Sequence, residues 1–418
     1  MREGFQPAFW VANVTELFER LAYYGQSTVL AIYLHGKLNF SVAQTGDLTG
    51  YFGAVVWFLP ILGGTLADRF GFRRSLAAAY LVLSIGYFLM GSLAEPWMAP
   101  LRNSVPLYWL VLMILTVPAL GPAIVKPCVV GTTARASSEN VRSLGYSLYY
   151  TLVNIGGMLG PIVAYIVHRR LGLGLENVFR VSSVFVLLMF FATLLFYKEP
   201  DRSAEKQVAS IWQALKNMFV VLANFRFMLF LLIFSGFWVV FWQQYIALPL
   251  YITSYVNPNF NVELLLSVDP AIVILFTILV NFVMRKVPTF AAMTLGILIA
   301  GTSWIFLTLG TATWVFVAAL IVLALGELIQ SPRYYEYISR LAPPGQQGTF
   351  MGYSFLPIAI GYGVAGVIGG RLLHYFGEVR HQPQQMWWVV SAVGLVTAVL
   401  MWLYNAVFKP GQEKSRPA

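Results

Sequence analysis

Charge is what this sequence has least of. Asp, Glu, Lys and Arg together make up 11% of 418 residues, where a soluble domain carries about a quarter. A water-soluble globule is excluded on that ground. Cysteine is next: Cys128 stands alone, so no disulfide can close within the chain and no thiolate metal site is suggested. The histidines (His35, His168, His374 and His381) fall near helix ends or in loops with no ligand spacing, so neither a metal nor a cofactor is expected. There is no His-x-x-x-His pair, no G-x-S-x-G and no Asp-rich motif, which leaves an enzyme without a nucleophile–base or metal constellation. Short alternating strands are missing too, which argues against a membrane β-barrel. No cleavable leader is expected, because the first apolar segment is too long and too charged for one.

What the chain has is apolar length. Hydrophobic residues make up 58% and the mean hydropathy is +0.71. Windows of about 20 apolar residues, enough to cross about 30 Å of hydrocarbon, recur from end to end. The expected fold is an all-α polytopic membrane protein of about 12 spans. They run roughly over 7–34, 43–67, 75–94, 107–132, 141–167 and 178–197, then 227–255, 262–284, 290–309, 314–338, 348–375 and 386–408. A net charge of +10 does not point to nucleic acid, because the basic residues sit in loops as the positive-inside rule predicts. Arg69, Arg73, Arg74, Arg135, Arg142, Lys198, Arg202, Lys206, Lys216, Arg285, Lys286, Arg333, Arg340, Lys409, Lys414 and Arg416 fall on one side. Lys37, Arg102 and Arg380 fall on the other, with Arg169 and Arg170 departing from the pattern. Both termini are therefore expected in the cytoplasm, with the chain in the cell (inner) membrane.

A charged stretch divides the spans. Residues 1–197 read as one six-helix bundle, 198–225 as a cytoplasmic linker, 226–408 as a second six-helix bundle and 409–418 as a cytoplasmic tail. Between the second and third spans stands GGTLADRFGFRRS. Its Gly64, Asp68, Arg69, Gly71, Arg73 and Arg74 resemble the loop signature G-x-x-x-D-R-x-G-x-R-R of the major facilitator superfamily, whose halves are parallel repeats around a midplane site. Glycines permit the tight turn and arginines hold it at an anionic leaflet. Asp68 could meet the positive N-terminus of a helix in the other half.

The strongest departure from apolarity is Thr15–Gly25, TELFERLAYYG, which places Glu16, Glu19 and Arg20 inside the first span. On a helix Glu16 and Arg20 face each other four residues apart. A charge in hydrocarbon costs about 2.5–3.5 kcal/mol even on a mild insertion scale, so such a cluster needs internal partners and reads as an ion or substrate pathway. Lys126 lies mid-span among apolar neighbours, where an ammonium seeks a carboxylate. Glu327 lies deep in IVLALGELI.

These stretches share a resemblance. ELFERLAYYG is similar to the E-x-x-E-R-F-x-Y-Y-G signature of the proton-dependent oligopeptide transporter family, with Leu21 for Phe. GPAIVKP (Gly121–Pro127), YYTLVNIGG (Tyr149–Gly157), GELIQSP (Gly326–Pro332) and the LAP and MGY that follow are similar to further motifs of that family, in the same order. The resemblance implies a proton-coupled symporter, working as a monomer by alternating access, that imports di- or tripeptides or similar small zwitterions. The alternative keeps the fold and proton coupling, with a non-peptide organic anion or an exported substrate. By the same resemblance Glu16, Glu19, Arg20 and Lys126 couple protons to substrate. Arg20, Tyr23, Tyr24, Trp57, Lys126, Asn154, Trp242, Asp269 and Glu327 line the site, Glu327 toward the substrate's amino end. A carboxyl group taken partly out of water takes up a proton more readily, which would free Arg20, a fork of donors, for a substrate carboxylate.

The sequence also departs from the family. The second arginine of the first span falls on Ser27 and the glutamate of the seventh-span pattern F-W-x-x-x-E-Q on Trp242, so a usual gate pair is lost as a unit. A tyrosine becomes Trp57, a tryptophan Ser354 and an asparagine Asp269. Lys126 is thus expected to be balanced by Asp269, Glu327 or the first-span glutamates. Pro118, Gly121, Pro122, Pro127 and Pro332 are expected to break the chain beside the fourth and tenth spans and to allow rocking.

Overall fold

The computed structural model describes residues 4–61, 70–200, 221–341 and 347–408. The long apolar windows fold as helices, since a backbone in hydrocarbon must satisfy its own hydrogen bonds. The long helices are α1 (Pro7–Ile32), α2 (Val42–Phe58), α3 (Phe72–Ser92), α4 (Leu107–Arg135), α5 (Arg142–Tyr165) and α6 (Leu175–Phe196). They continue with α7 (Phe225–Phe241), α8 (Val268–Met284), α9 (Thr289–Ser303), α10 (Thr313–Leu341), α11 (Leu356–Leu373) and α12 (Met386–Phe408). Ten helical segments among the described residues are long and apolar enough to span a membrane. Two of the twelve fall outside that set: α1, diluted by its own charges, and α2, described over 17 residues.

Local signals fix the ends. Ser41 and Gln44 form a capping box at the start of α2, each contact 3.2 Å. Asn224 accepts from the Phe227 N–H to start α7. Gly71, at the N-terminus of α3, has φ 83°, a left-handed conformation that favours glycine. The Glu199 carboxylate then accepts from the Phe72 and Arg73 N–H groups at 2.7 and 3.0 Å, and the Arg73 guanidinium donates to the Leu194 carbonyl. The loop signature is thus half visible: Gly71, Arg73 and the exposed Arg74 are placed, while Gly64, Asp68 and Arg69 lie outside the described residues.

Helix packing repeats itself. In the first half α1 packs on α5 and α6, α3 on α4 and α6, and α2 on α4. Adding six to every label gives the second half: α7 on α11 and α12, α9 on α10 and α12, α8 on α10. Among the long helices two contacts join the halves, α2 with α11 and α5 with α8, and they too exchange under the same rule. That is the signature of two parallel six-helix bundles. Side chains such as Leu195, Ile278 and Val407 point outward from the bundles at 72%, 86% and 70% exposure, as lipid-facing residues do.

The chain breaks elsewhere than expected. Pro118, Pro122 and Pro127 lie inside a continuous α4, and Pro332 inside a continuous α10. The seventh span breaks instead: α7 ends in a tight turn at Trp242–Gln244, and a short helix, Ala247–Tyr251, resumes the path. Pro249 explains the break, since it has no N–H to donate and its ring would clash with the carbonyl four residues back, at Tyr245.

Candidate functional site

Glu16, Glu19 and Arg20 are buried in the protein, at 0%, 0% and 1% exposure. The Arg20 Nε donates to Glu19 Oε2 at 2.6 Å, with Nη2 2.5 Å from the same oxygen; Glu16 Oε1 is 3.5 Å from Nε. The guanidinium also lies 4.9 Å from the centre of the Tyr23 ring. Both Glu16 oxygens, Glu19 Oε1 and Arg20 Nη1 make no hydrogen bond. This cluster is pinned where α1 and α5 touch by their backbones. A Cβ at Gly156 would stand 2.5 Å from the Leu17 carbonyl and 2.8 Å from Arg20 Cβ, so only glycine admits that approach.

Lys126, on α4, is 8% exposed, and its Nζ lies 4.5 Å from the centre of the Trp57 ring. Among the described residues no carboxylate oxygen comes within 4.0 Å of it. Lys126 thus has no acid at ion-pair distance and stands over a ring face, whose quadrupole attracts a desolvated ammonium, while the Glu16 and Glu19 carboxylates act on it through space. Trp57 is the first of a run of aromatic rings: its centre is 6.0 Å from that of Trp242, which is 5.8 Å from Tyr245, which is 5.9 Å from Tyr24. Trp242, standing where the family has a glutamate, stacks on Tyr362 at 4.2 Å.

The second half supplies the acids. Asp269 lies in the first turn of α8, 4% exposed. Gln244 Nε2 donates to its Oδ2 at 3.2 Å, and Oδ1 has no partner. Gln244 reaches it because the tight turn after α7 swings the side chain off the helix path. Glu327, half-buried on α10, opens on the same small cavity as Asp269. Its lining comes from both halves: Tyr24, Val153, Asn154 and Gly157 from α1 and α5, and Phe241, Tyr245, Asp269, Pro270, Val273 and Glu327 from the other bundle.

Of the residues singled out from sequence, the cavity brings together Tyr24, Asn154, Asp269 and Glu327. Glu16, Glu19, Arg20, Tyr23, Lys126, Trp57 and Trp242 do not line it; they form a charged and aromatic layer beside it. The Asn154 amide is spent on the Tyr150 carbonyl at 2.9 Å. Gln244 and Tyr245 were missed, and their signal was a polar run, QQY, inside an apolar window. Also missed was Glu263, fully buried, which meets His168 Nδ1 at 2.6 Å and Arg169 Nε at 3.6 Å from the other half. Among the described residues no group of three or more His, Cys, Asp or Glu could hold a metal ion.

Comparison with known proteins agrees with this architecture. The Major Facilitator Superfamily family model matches residues 14–356 and 260–418. The multidrug resistance protein MdtH of Aeromonas hydrophila is 23% identical over 393 residues, 94% of each chain. That of Yersinia enterocolitica is 22% identical over 385 residues, covering 90% of this chain and 89% of the relative. Among solved structures, a POT family transporter in complex with 5-aminolevulinic acid superposes with a TM-score of 0.75 at 18% identity, over 97% of this chain and 96% of its own. Another, in complex with a thioalcohol-conjugated peptide, gives 0.77 at 18% identity over the same shares. The likeness to the POT structures is one of fold. The family model spans both bundles, and the chain belongs to the Major Facilitator Superfamily: it is a multi-pass membrane transporter, not an enzyme.

Proposed function

We propose that this protein is a proton-coupled symporter that imports di- or tripeptides or similar small zwitterions, with the cavity between the two bundles as its site. The observation that carries the reading is the separation of charge. The cations, Arg20 and Lys126, come from the first bundle, and the acids that open on the cavity, Asp269 and Glu327, from the second. A zwitterion bridging them would tie the bundles together. Proton coupling follows from Glu19: while it is ionised it holds Arg20, and when it takes a proton that hold is released, leaving the guanidinium fork for a carboxylate. The halves, residues 1–197 and 226–408, would rock about the cavity, as a monomer in the cell (inner) membrane with both termini in the cytoplasm.

The test is uptake and counterflow of a mixed dipeptide pool in proteoliposomes, with and without a pH gradient. Uptake against a gradient is expected only when protons are driven in the same direction. Glu19→Gln, neutral at every pH, is expected to abolish gradient-driven uptake while counterflow persists. Counterflow that shows no dipeptide exchange would remove the peptide reading. A second reading, export of an organic solute on the same fold, is favoured by the names of the MdtH relatives. It predicts accumulation only when the gradient is reversed.

A further inference from the structure

The histidines, His35, His168, His374 and His381, all stand at one end of the molecule, the end that carries the α1–α2, α5–α6 and α11–α12 connections. Three of them stay within their own half. His35 Nδ1 meets the Phe40 carbonyl at 2.8 Å, His374 meets Glu378 one turn away at 2.6 Å, and His381 is exposed in the α11–α12 connection. His168 is the one that reaches across. It sits in the turn Ile166–Arg170 that ends α5, and its Nδ1 lies 2.6 Å from Oε1 of Glu263, on the short helix Val262–Leu266 that leads into α8.

The contact is built around one carboxylate. Glu263 is fully buried, and its Oε2 makes no hydrogen bond among the described residues, so the bond from His168 carries the group. Arg169 Nε stands 3.6 Å from the same Oε1 without a hydrogen bond, while its Nη2 donates to the Phe260 and Pro258 carbonyls at 3.2 and 3.4 Å. The other charges around the pair are engaged or distant. Arg170, on the same turn, is exposed. α6, which packs on that turn, brings Glu176, 3.4 Å from Lys37, and Arg180, paired with Glu95. The Val262–Leu266 helix also touches α1, α8 and α10. Of their charges, Glu16, Glu19 and Arg20 hold one another, Asp269 and Glu327 open on the cavity, and Arg333, Glu336 and Arg340 pair at the far end of α10. Tyr165 of α5 adds a hydroxyl.

Histidine is the side chain whose charge changes between about pH 5 and 8. The His168 side chain is 18% exposed, so water reaches its edge and a proton can come and go without the halves parting. Arg169 and Arg170 oppose that proton, but both face water, which screens them. Glu263 is dry and at bonding distance, and a buried carboxylate is strongly disfavoured without a positive partner. The closed end therefore favours the charged ring. Its share of the closure is complete in acid and is lost as the pH rises and the ring gives up its proton.

We propose that His168 and Glu263 form a proton-set latch on this end, which acid at that face holds shut and alkali releases. The inference rests on the rocking of the halves and not on the solute or on proton release at Glu19.

The experiment uses the full-length protein in lipid nanodiscs with nitroxide labels on Leu101→Cys and Leu309→Cys, exposed at this end on opposite halves, and with Cys128→Ser. Double electron–electron resonance reads the ratio of long to short label distances at about pH 5.5 and about pH 8. The ratio is expected to rise about tenfold between them, the effect of one unit of proton affinity between the closed and open ends. His168→Asn, a neutral donor at every pH, is expected to remove that step and to hold the alkaline ratio throughout, while His374→Asn keeps the step. A native ratio that is the same at both pH values overturns the proposal, and so does a step of native size in His168→Asn. Melting curves establish that the variants are folded; if His168→Asn is not, Glu263→Gln decides, since it should open this end at both pH values without a step. A pH step lost in His168→Asn alongside failed dipeptide counterflow leaves the latch and removes the zwitterion function. Counterflow in a protein that shows no pH step does the reverse.

Discussion

Arg20 and Lys126 are both buried cations of the first bundle, yet they are held in different ways, and the difference decides what each variant should do. Arg20 shares its charge with Glu19 at 2.5–2.6 Å and with Glu16 at 3.5 Å. Removing it leaves two buried carboxylates facing each other, and breaking a buried pair costs about 3–5 kcal/mol. Arg20→Ala is therefore expected to melt well below the native protein in a detergent thermal scan. Lys126 has the Trp57 ring in contact and the Glu16 and Glu19 carboxylates farther off, a ring contact of about 2 kcal/mol that is offset by the cost of desolvating the ammonium. Lys126→Met, which keeps the stem, is expected to melt within a few degrees of native while binding of carboxylate-bearing solutes falls about tenfold. If Lys126→Met is as unstable as Arg20→Ala, Lys126 is a structural tie and nothing more. Both positions were legible in the sequence because a charge inside an apolar window is conspicuous. The partner of Lys126 was not, because it is a ring face on another helix, and no spacing rule pairs an ammonium with a tryptophan. Asp269 was legible as a departure from a motif, but its Gln244 donor became visible only once the seventh span was seen to break.

At the scale of helices, span length read well from apolar windows and breaks read poorly. Four prolines were expected to interrupt the fourth and tenth spans, yet both helices run through them. In α4 the neighbouring helix makes room: Gly86 of α3 lies against Pro118, where a Cβ would come 2.6 Å from the proline nitrogen. The proline that does break a span, Pro249, was not weighed, and it frees Gln243 and Gln244 to work as side chains off the helix path. Gln243 donates to the Ala365 carbonyl of α11 at 3.1 Å. The seam between α1 and α5 yields a sharper expectation. Gly156 and Gly157 are adjacent, but only Gly156 faces the α1 backbone; a Cβ at Gly157 would meet the Tyr24 ring at 3.4 Å, an ordinary contact. Gly156→Ala should push α1 and its charge cluster away, at an overpacking cost of about 1–3 kcal/mol, and abolish transport. Gly157→Ala, whose added Cβ meets a ring of the cavity lining and not the α1 backbone, should melt within a few degrees of the native protein. Equal melting of both variants would show that the Arg20 cluster does not depend on that close approach.

For the whole molecule, the proposed rocking of the halves would open and close the contacts between them, chief among these α2 with α11 and α5 with α8. One end is shut: the end that carries the α1–α2 and α11–α12 connections. There Gly46 and Gly50 of α2 lie against Gly363, Gly366 and Gly370 of α11, backbone to backbone. One ion pair lies beside this seam and another at the α5–α8 contact on the same end, and burial ranks them. Asp47 meets Arg371 at 2.8 Å with side chains 28% and 57% exposed, and exposed pairs are worth about 0–1 kcal/mol. Glu263 is fully buried beneath His168 and Arg169, and Arg169 also donates to the Phe260 carbonyl at 3.2 Å. Truncating one partner of a buried, hydrogen-bonded pair costs about 2–5 kcal/mol. Since 1.4 kcal/mol is about a tenfold shift in an equilibrium, Glu263→Gln should open this end at least about tenfold more often, and Asp47→Asn by a factor of a few at most. The measurement is the rate at which a membrane-impermeant maleimide labels a cysteine placed at Ala54, which packs against Gly363 in the seam, with Cys128 replaced by serine. Faster labelling in Glu263→Gln than in Asp47→Asn is expected, with Arg371→Gln resembling Asp47→Asn. Equal rates in all of them would mean that the glycine seam alone holds the end shut and that the buried carboxylate takes no part in the gate.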